Sequence, residues 1–216
     1  MIRKVVLSIL IFFILVMTAL VSQSISCQSI NNQQRLSNQV YRVHNINTGL
    51  NYTTIQEAIN ANETQSGHTI RVDAGLYYEN VVINKSILLI GENKETTIID
   101  ANGTESVVII IGKDTVLTGF TIQNSGPLLF DSGVHLWYGG NITITNNIIR
   151  RNNNGVWLDK SRIINISGNN IEDNIQAFAM EGAFHNTIYG NTIINNEKGM
   201  WFIQYCSYNK IFHNNF

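Results

Sequence analysis

Two carboxylates, Asp159 and Glu181, stand 22 residues apart and close runs of the same shape, Gly155-Val156-Trp157-Leu158-Asp159 and Ala177-Phe178-Ala179-Met180-Glu181. In a chain that returns to the same place every 22 residues, these acids sit on neighbouring strands, about 5 Å apart between backbones. A carboxylate pair at that separation suits glycoside hydrolysis, because close approach pushes the two proton affinities apart. Aromatic residues flank the pair. His135, Trp157, Ala179 and Trp201 share one column at this step, and Trp137, Asp159, Glu181 and Ile203 share a second, two residues further on. Val156 and Leu158 alternate with Trp157, so Trp157 is expected to point outward. Trp157 and Trp201, two coils or about 9.6 Å apart, then form an aromatic track that fits an extended polysaccharide. His135 and Trp137 stand beside it, and exposed aromatics of this size imply binding. Two plainer readings stay open: outward acids that only solubilise, and tryptophans covered by the inserted loop, by a further C-terminal segment or by a partner.

What must position these residues is a repeat. Ile144-Thr145-Asn146-Asn147-Ile148-Ile149 lies over Ile166-Ser167-Gly168-Asn169-Asn170-Ile171 and Ile188-Tyr189-Gly190-Asn191-Thr192-Ile193, each at a step of 22 residues. A last partial copy, Ile211–Phe216, arrives one residue late. Asn147, Asn169, Asn191 and Asn214 keep one column, and Asn152, Asn174 and Asn196 keep another. Such a period marks a solenoid. The repeat is rich in Ile, Val, Asn and Gly and lacks both the leucine offsets and the helix formers of a leucine-rich repeat. Its short alternating runs, separated by Asn/Gly turns, predict three strands per coil. The expected fold is all-β: a right-handed parallel β-helix of ~22-residue coils stacked at about 4.8 Å. The Asn column Asn147/Asn169/Asn191/Asn214 is expected to form a ladder of amides at a turn.

The 216 residues include one proline, about 30 asparagines, 13% charged residues and a net charge of −1. That balance carries no electrostatic footprint for nucleic acid. Residues 1–26 read as an export signal: Arg3 and Lys4, an apolar run from Val5 to Val21, then Ser22, Ser24 and Ser26. An uncleaved anchor is the competing reading, and it would be the chain's one membrane contact. Residues 27–40 form a polar linker and 41–216 the β-helix domain. Cys27 and Cys206 set no disulfide framework, and Cys206 is expected in the core or a turn. Thr54-Ile55-Gln56-Glu57 fits a capping box that opens a short helix, Ile55–Ala61, as a lid on the first coil. Strands are predicted at Thr69–Val72, Asn80–Ile83, Ser86–Ile90, Thr97–Ile99 and Val107–Ile111. Leu117 aligns with Ile144 and Ile122 with Ile149 at a step of 27, which leaves about five extra residues around Gly126–Asp131. An insertion in one coil of a solenoid makes a loop on one face, often the binding face. Arg150 and Arg151 are expected to pair with Glu172 and Asp173 one coil on. Phe216 falls in the column of Ile149, Ile171 and Ile193, so the coil is expected to continue in further chain or under a partner.

Ile55-Gln56-Glu57-Ala58-Ile59, Thr69–Val81 and Ile90-Gly91-Glu92-Asn93 resemble the opening coils of pectin-lyase-like β-helix proteins, which pectin methylesterases share. The later Gly-Phe-Thr-Ile-Gln-Asn and Gly-Asn-x-Ile-x-x-Asn copies resemble NosD-type repeat proteins and carbohydrate-binding/sugar-hydrolysis (CASH) domains. The likeness covers about residues 43–216 and speaks to fold more than activity. The paired glutamines and aspartates of the methylesterases find no match here. NosD resemblance implies a copper role, which is the sole ground for a cofactor. His44, His68, His135, His185 and His213 show no chelating spacing, so no metal ligands are assigned. Four functions remain in view: an exported surface or periplasmic module binding a glycan through Trp157, Trp201, His135 and Trp137; a hydrolase or lyase using Asp159 and Glu181; a structural surface repeat; and a NosD-like copper-site maturation factor. Six Asn-x-Ser/Thr triplets, at Asn51, Asn62, Asn84, Asn102, Asn141 and Asn165, would accept glycans in a host with the machinery.

Overall fold

Short alternating runs close into a solenoid because each coil turns at corners that satisfy their own polar groups. The computed structural model describes residues 42–216, so the segments read as an export signal and a linker lie outside the described residues. The fold is the expected right-handed parallel β-helix, with about seven turns. Three sheets run along it. The first contains Thr69–Val72, Leu88–Gly91, Lys113–Thr118, Gly140–Thr145, Arg162–Ser167, Thr187–Tyr189 and Lys210–Phe212 in parallel. The second runs Gly75–Tyr78, Thr97–Asp100, Thr121–Gln123, Ile148–Arg150, Asn170–Glu172 and Thr192–Ile194. The third, which carries the candidate site, runs Val81–Ile83, Val108–Ile110, Ser132–Trp137, Asn154–Asp159, Gln176–Glu181 and Lys198–Phe202.

The start of the solenoid differs from the expectation in two ways. Val43–Asn45 pairs antiparallel with both Leu50–Tyr52 and Thr69–Val72, a hairpin that covers the first edge of the first sheet. Gly75–Tyr78, outside the predicted ranges, is a strand and pairs with Thr97–Asp100. The helix spans Ile55–Asn60, with Ala61 as its C-cap, and buries Ile55, Ala58 and Ile59. Thr54 accepts from the Glu57 amide at 3.1 Å, as the capping box requires. The Glu79 carboxylate accepts from the amides of Ile55 and Gln56, both at 2.9 Å, so the first coil itself satisfies the helix N-terminus.

Inward columns make the core. Val134, Val156 and Phe178 stack on the third sheet, Ile144, Ile166 and Ile188 on the first, and Ile149 and Ile171 on the second, all essentially inaccessible. Each such side chain contributes about 1.5–3 kcal/mol of burial. Leu117 pairs with Ile144 and Ile122 with Ile149, so the extra residues of that coil leave the sheets as a loop between Gln123 and Ser132.

The corners repeat one device: a left-handed residue followed by a rung. Asn146, Gly168, Gly190 and His213 take φ of 53°, 64°, 62° and 53°, and the next residues are Asn147, Asn169, Asn191 and Asn214. Asn147 Nδ2 donates to Asn169 Oδ1 at 3.2 Å, Asn169 to Asn191 at 3.0 Å and Asn191 to Asn214 at 2.9 Å. Each rung oxygen also accepts the backbone amide of the rung before it, as in Asn147 N to Asn169 Oδ1 at 3.0 Å. Asn152, Asn174 and Asn196 form a second ladder after Arg151, Asp173 and Asn195, and Asn186 with Asn209 a third after His185 and Tyr208. At the fourth corner the rungs are smaller. Ser161 Oγ donates to Leu136 O at 3.0 Å and Cys206 Sγ to Met180 O at 3.3 Å, which explains the lone described thiol as a turn residue. The column Gly133/Gly155 is small for the same reason. A Cβ on Gly133 would lie 2.7 Å from Asn152 Nδ2, and one on Gly155 2.7 Å from Ala177 O.

The expected arginine pairs do not form. Arg150 lies in register with Glu172 but donates through Nε to Gln123 Oε1 at 3.1 Å, the preceding coil. Among the described residues the ion pairs are His44–Asp73 and Lys160–Asp159.

Candidate functional site

The outer face of the third sheet brings the sequence columns into register. His135 pairs with Trp157, Trp157 with Ala179 and Ala179 with Trp201, while Trp137, Asp159 and Glu181 stand beside them in the second column. The exposure of the first column is not as expected. Trp157 is only 1% exposed, because the insertion folds back over it and sets Phe130 on its indole at 5.0 Å between ring centroids, tilted by 57°. His135, in register on the adjacent strand, lies 6.1 Å from the indole. The open aromatic track is therefore corrected to a covered Trp157 and two half-exposed tryptophans, Trp201 and Trp137, the latter against Tyr138 at 6.2 Å.

The loop that does this is pinned by the sheet it covers. Asn153 Nδ2 donates to Leu128 O at 2.6 Å, and Asn154 Nδ2 to Leu129 O at 2.8 Å. Asp131 closes it from within, accepting the Leu128 amide at 2.9 Å. Leu128, Leu129 and Phe130 remain largely in solvent. Beneath the loop, two polar atoms are buried without a partner, Trp157 Nε1 and His135 Nε2. Burial holds the His135 imidazole below the ordinary histidine range, and the carboxylates of Asp159 and Asp131 pull partly the other way.

Beside the loop, Leu129, Asn153, Asn154, Ile175, Gln176, Lys198, Met200 and Trp201 line a groove of about 300 Å³. Its polar floor was missed in the sequence, although Asn154, Gln176 and Lys198 form a column of their own in register. Gln176 Nε2 donates to Phe178 O and Gly199 O, both at 3.0 Å, which fixes its amide plane. An aromatic face edged by amides and one cation is suited to a polyhydroxylated ligand, with CH groups on the ring and hydroxyls on the amides.

Asp159 and Glu181 do lie on adjacent strands, yet each is already engaged. Asp159 accepts from Lys160 Nζ at 3.0 Å and Glu181 from Gln204 Nε2 at 3.1 Å. Asp159 also holds the Lys160 ammonium above its ordinary range, first through that hydrogen bond and then through its charge. Asn165, one of the glycan-acceptor triplets, is half-buried with an unpartnered Oδ1.

The histidines do not fit a copper centre. His44 bonds Asn51 Oδ1 at 2.6 Å and Asp73 Oδ2 at 3.0 Å, and His68 faces Asn45 Nδ2 at 3.1 Å. His185 stacks on Tyr208, and His213 meets Phe212 edge-on. Among the described residues no three His, Cys, Asp or Glu side chains converge as a metal site demands.

A cell surface glycoprotein of Methanothermus fervidus is 36% identical over 109 residues, an alignment spanning 50% of this chain and 17% of that protein. The pectin methylesterase from carrot superposes with a TM-score of 0.46 at 15% identity, covering 71% of this chain and 61% of that one. Pectin methylesterase PemA from Erwinia chrysanthemi gives 0.45 at 16%, covering 68% and 52%. The chain thus spans a sixth of the curated relative and little more than half of the solved ones. A family model described as "Periplasmic copper-binding protein (NosD)" matches residues 58–216, and the chain belongs to that family.

Proposed function

We propose that this chain is an exported β-helix that binds carbohydrate at the cell surface, in the groove between the insertion and the third sheet. The observation that carries the reading is the groove itself: the half-exposed Trp201 beside the side chains of Asn153, Asn154, Gln176 and Lys198. A tryptophan face stacks on the apolar side of a sugar ring, while amides reach its hydroxyls. The surface setting draws on the relative named a cell surface glycoprotein and on the family's periplasmic description. A hydrolase built on Asp159 and Glu181 has less support, since each carboxylate already holds a partner and no third group converges on them.

A glycan-array screen of the full chain beside Trp201→Ala tests the reading. Binding by the wild type that disappears in a folded Trp201→Ala variant is the expected result. A folded wild type that captures no glycan overturns it and leaves a structural surface repeat.

A further inference from the structure

The insertion meets the third sheet in the manner of a ligand. Its one buried aromatic contact is Phe130 on the Trp157 indole. Its backbone carbonyls at Leu128 and Leu129 accept from Asn153 Nδ2 and Asn154 Nδ2, which stand at the edge of the groove. In a sugar complex those parts would be a pyranose face on the indole and hydroxyl oxygens on the two amides. The match fails at one place. Phe130 offers nothing polar to Trp157 Nε1 or His135 Nε2, and both atoms are buried without a partner. A buried unpaired donor or acceptor costs about 1–3 kcal/mol, so the closed loop is a compromise and not the best occupant of this site.

Leu128, Leu129 and Phe130 are 69%, 55% and 57% exposed, so the apolar area that the closed loop hides is chiefly the Trp157 indole, which a sugar ring stacked in place of Phe130 would cover again. The strands below do not depend on the loop, because the ladder through His135, Trp157 and Ala179 is made by neighbouring coils.

We propose that Trp157 and His135 form a second sugar subsite, filled in this structure by Phe130 and taken by a pyranose ring when the segment Pro127–Phe130 lifts. The proposal rests on the groove reading above and extends it. The ring stacks on Trp157 in place of Phe130, and a hydroxyl accepts from Trp157 Nε1 and meets His135 Nε2. Asn153 and Asn154 pass their donors from loop carbonyls to sugar oxygens. The groove at Trp201 and the subsite at Trp157 then lie on one line, two coils apart, with the small Ala179 between them.

The test uses the full chain with ¹⁵N-labelled indoles, titrated with xylohexaose, chitohexaose and hexagalacturonate. Trp157→Phe and Trp201→Phe spectra assign the Nε1–H resonances. The expected result is that the sugar that moves the Trp201 resonance also moves that of Trp157 in the wild type. Phe130→Ala should bind the same sugar about tenfold more tightly, because the closed state no longer competes. A sugar that moves Trp201 alone, with Phe130→Ala within about twofold of wild type, overturns the second subsite and leaves the groove intact. No movement of any indole, in wild type or variant, overturns both. Were Phe130→Ala to misfold, the wild-type Trp157 resonance still decides. A Trp157 Nε1–H that exchanges slowly and ignores every sugar marks a site satisfied by one trapped water, and that also overturns it.

Discussion

At one corner of the coil Asn169 donates to Asn191 Oδ1, Ile144 O and Ser167 O, and accepts from the amide and side chain of Asn147. Twelve residues earlier on the same coil, Trp157 is just as inaccessible and its indole N–H donates to nothing. Both positions recur at the same step, so the contrast is not one of fold. A corner passes its hydrogen bonds to the next corner, and a rung is complete as long as another rung follows. A sheet face has its backbone satisfied by the ladder but leaves its outward side chains to whatever covers them. Regions that complete themselves build the scaffold, and regions left incomplete are where a binding function can reside.

The ladder offers the largest way to break this comparison. Asn169→Ala leaves the buried Asn147 backbone amide without its acceptor, leaves Asn147 Nδ2 with only Leu117 O and Thr145 O, and removes a donor from two carbonyls and from Asn191 Oδ1. At about 1–3 kcal/mol per unpaired buried group, the expected loss is roughly 3–5 kcal/mol in urea unfolding. A loss under about 1 kcal/mol would show that water replaces a rung at little cost, and the corners would lose their special standing.

Trp157→Phe is expected to behave quite differently. It removes a large part of an inaccessible side chain, which costs about 1 kcal/mol in contacts and residual space. It also removes the unpartnered N–H, which returns about as much. The net change should stay within about 1 kcal/mol by the same urea measurement, despite a burial equal to that of Asn169. A loss of several kcal/mol would mean that the indole N–H is satisfied in solution, and the two regions would then differ less than the geometry says.

These differences also explain what was legible in the sequence. The 22-residue step, the inward Ile and Val columns and the Asn rungs are local patterns repeated in register, so the ladders and the columns of the third sheet could be read off directly. Thr54 and Glu57 announced the helix, and the step of 27 located the insertion. The direction taken by that insertion could not be read, because it depends on Asn153 and Asn154, whose side chains look like any others in an Asn-rich chain. Trp157 alternates with Val156 and Leu158 and does point away from the core, as the period requires. What pattern alone could not say is that Phe130 would cover it. The hairpin at Val43–Tyr52 was missed for a similar reason, since it occurs once and repeats nowhere.

The smallest expected effect concerns two histidines with opposite signs. His44 is held above the ordinary value of 6.5, first by its hydrogen bond with Asn51 and then by that with Asp73. Its contribution to stability is complete below pH 6.5 and is lost as pH rises through its folded value. His135 is held below 6.5 by burial, with Asp159 and Asp131 opposing and the Trp157 ring 6.1 Å away. Its contribution is complete above pH 6.5 and is lost as pH falls toward its folded value, because the unfolded chain takes up the proton first. Together the two place a stability maximum near pH 6.5. His44→Gln should flatten the alkaline side of a plot of melting temperature against pH, and His135→Gln the acid side. The acid side carries the sharper information, because His135 stands beside Trp157, which the loop covers. Phe130→Ala should return His135 toward 6.5 in an NMR titration and flatten the acid limb as His135→Gln does. If the acid limb keeps its slope in both variants, His135 is already wet beneath the loop, and the third sheet is as self-sufficient as the corners.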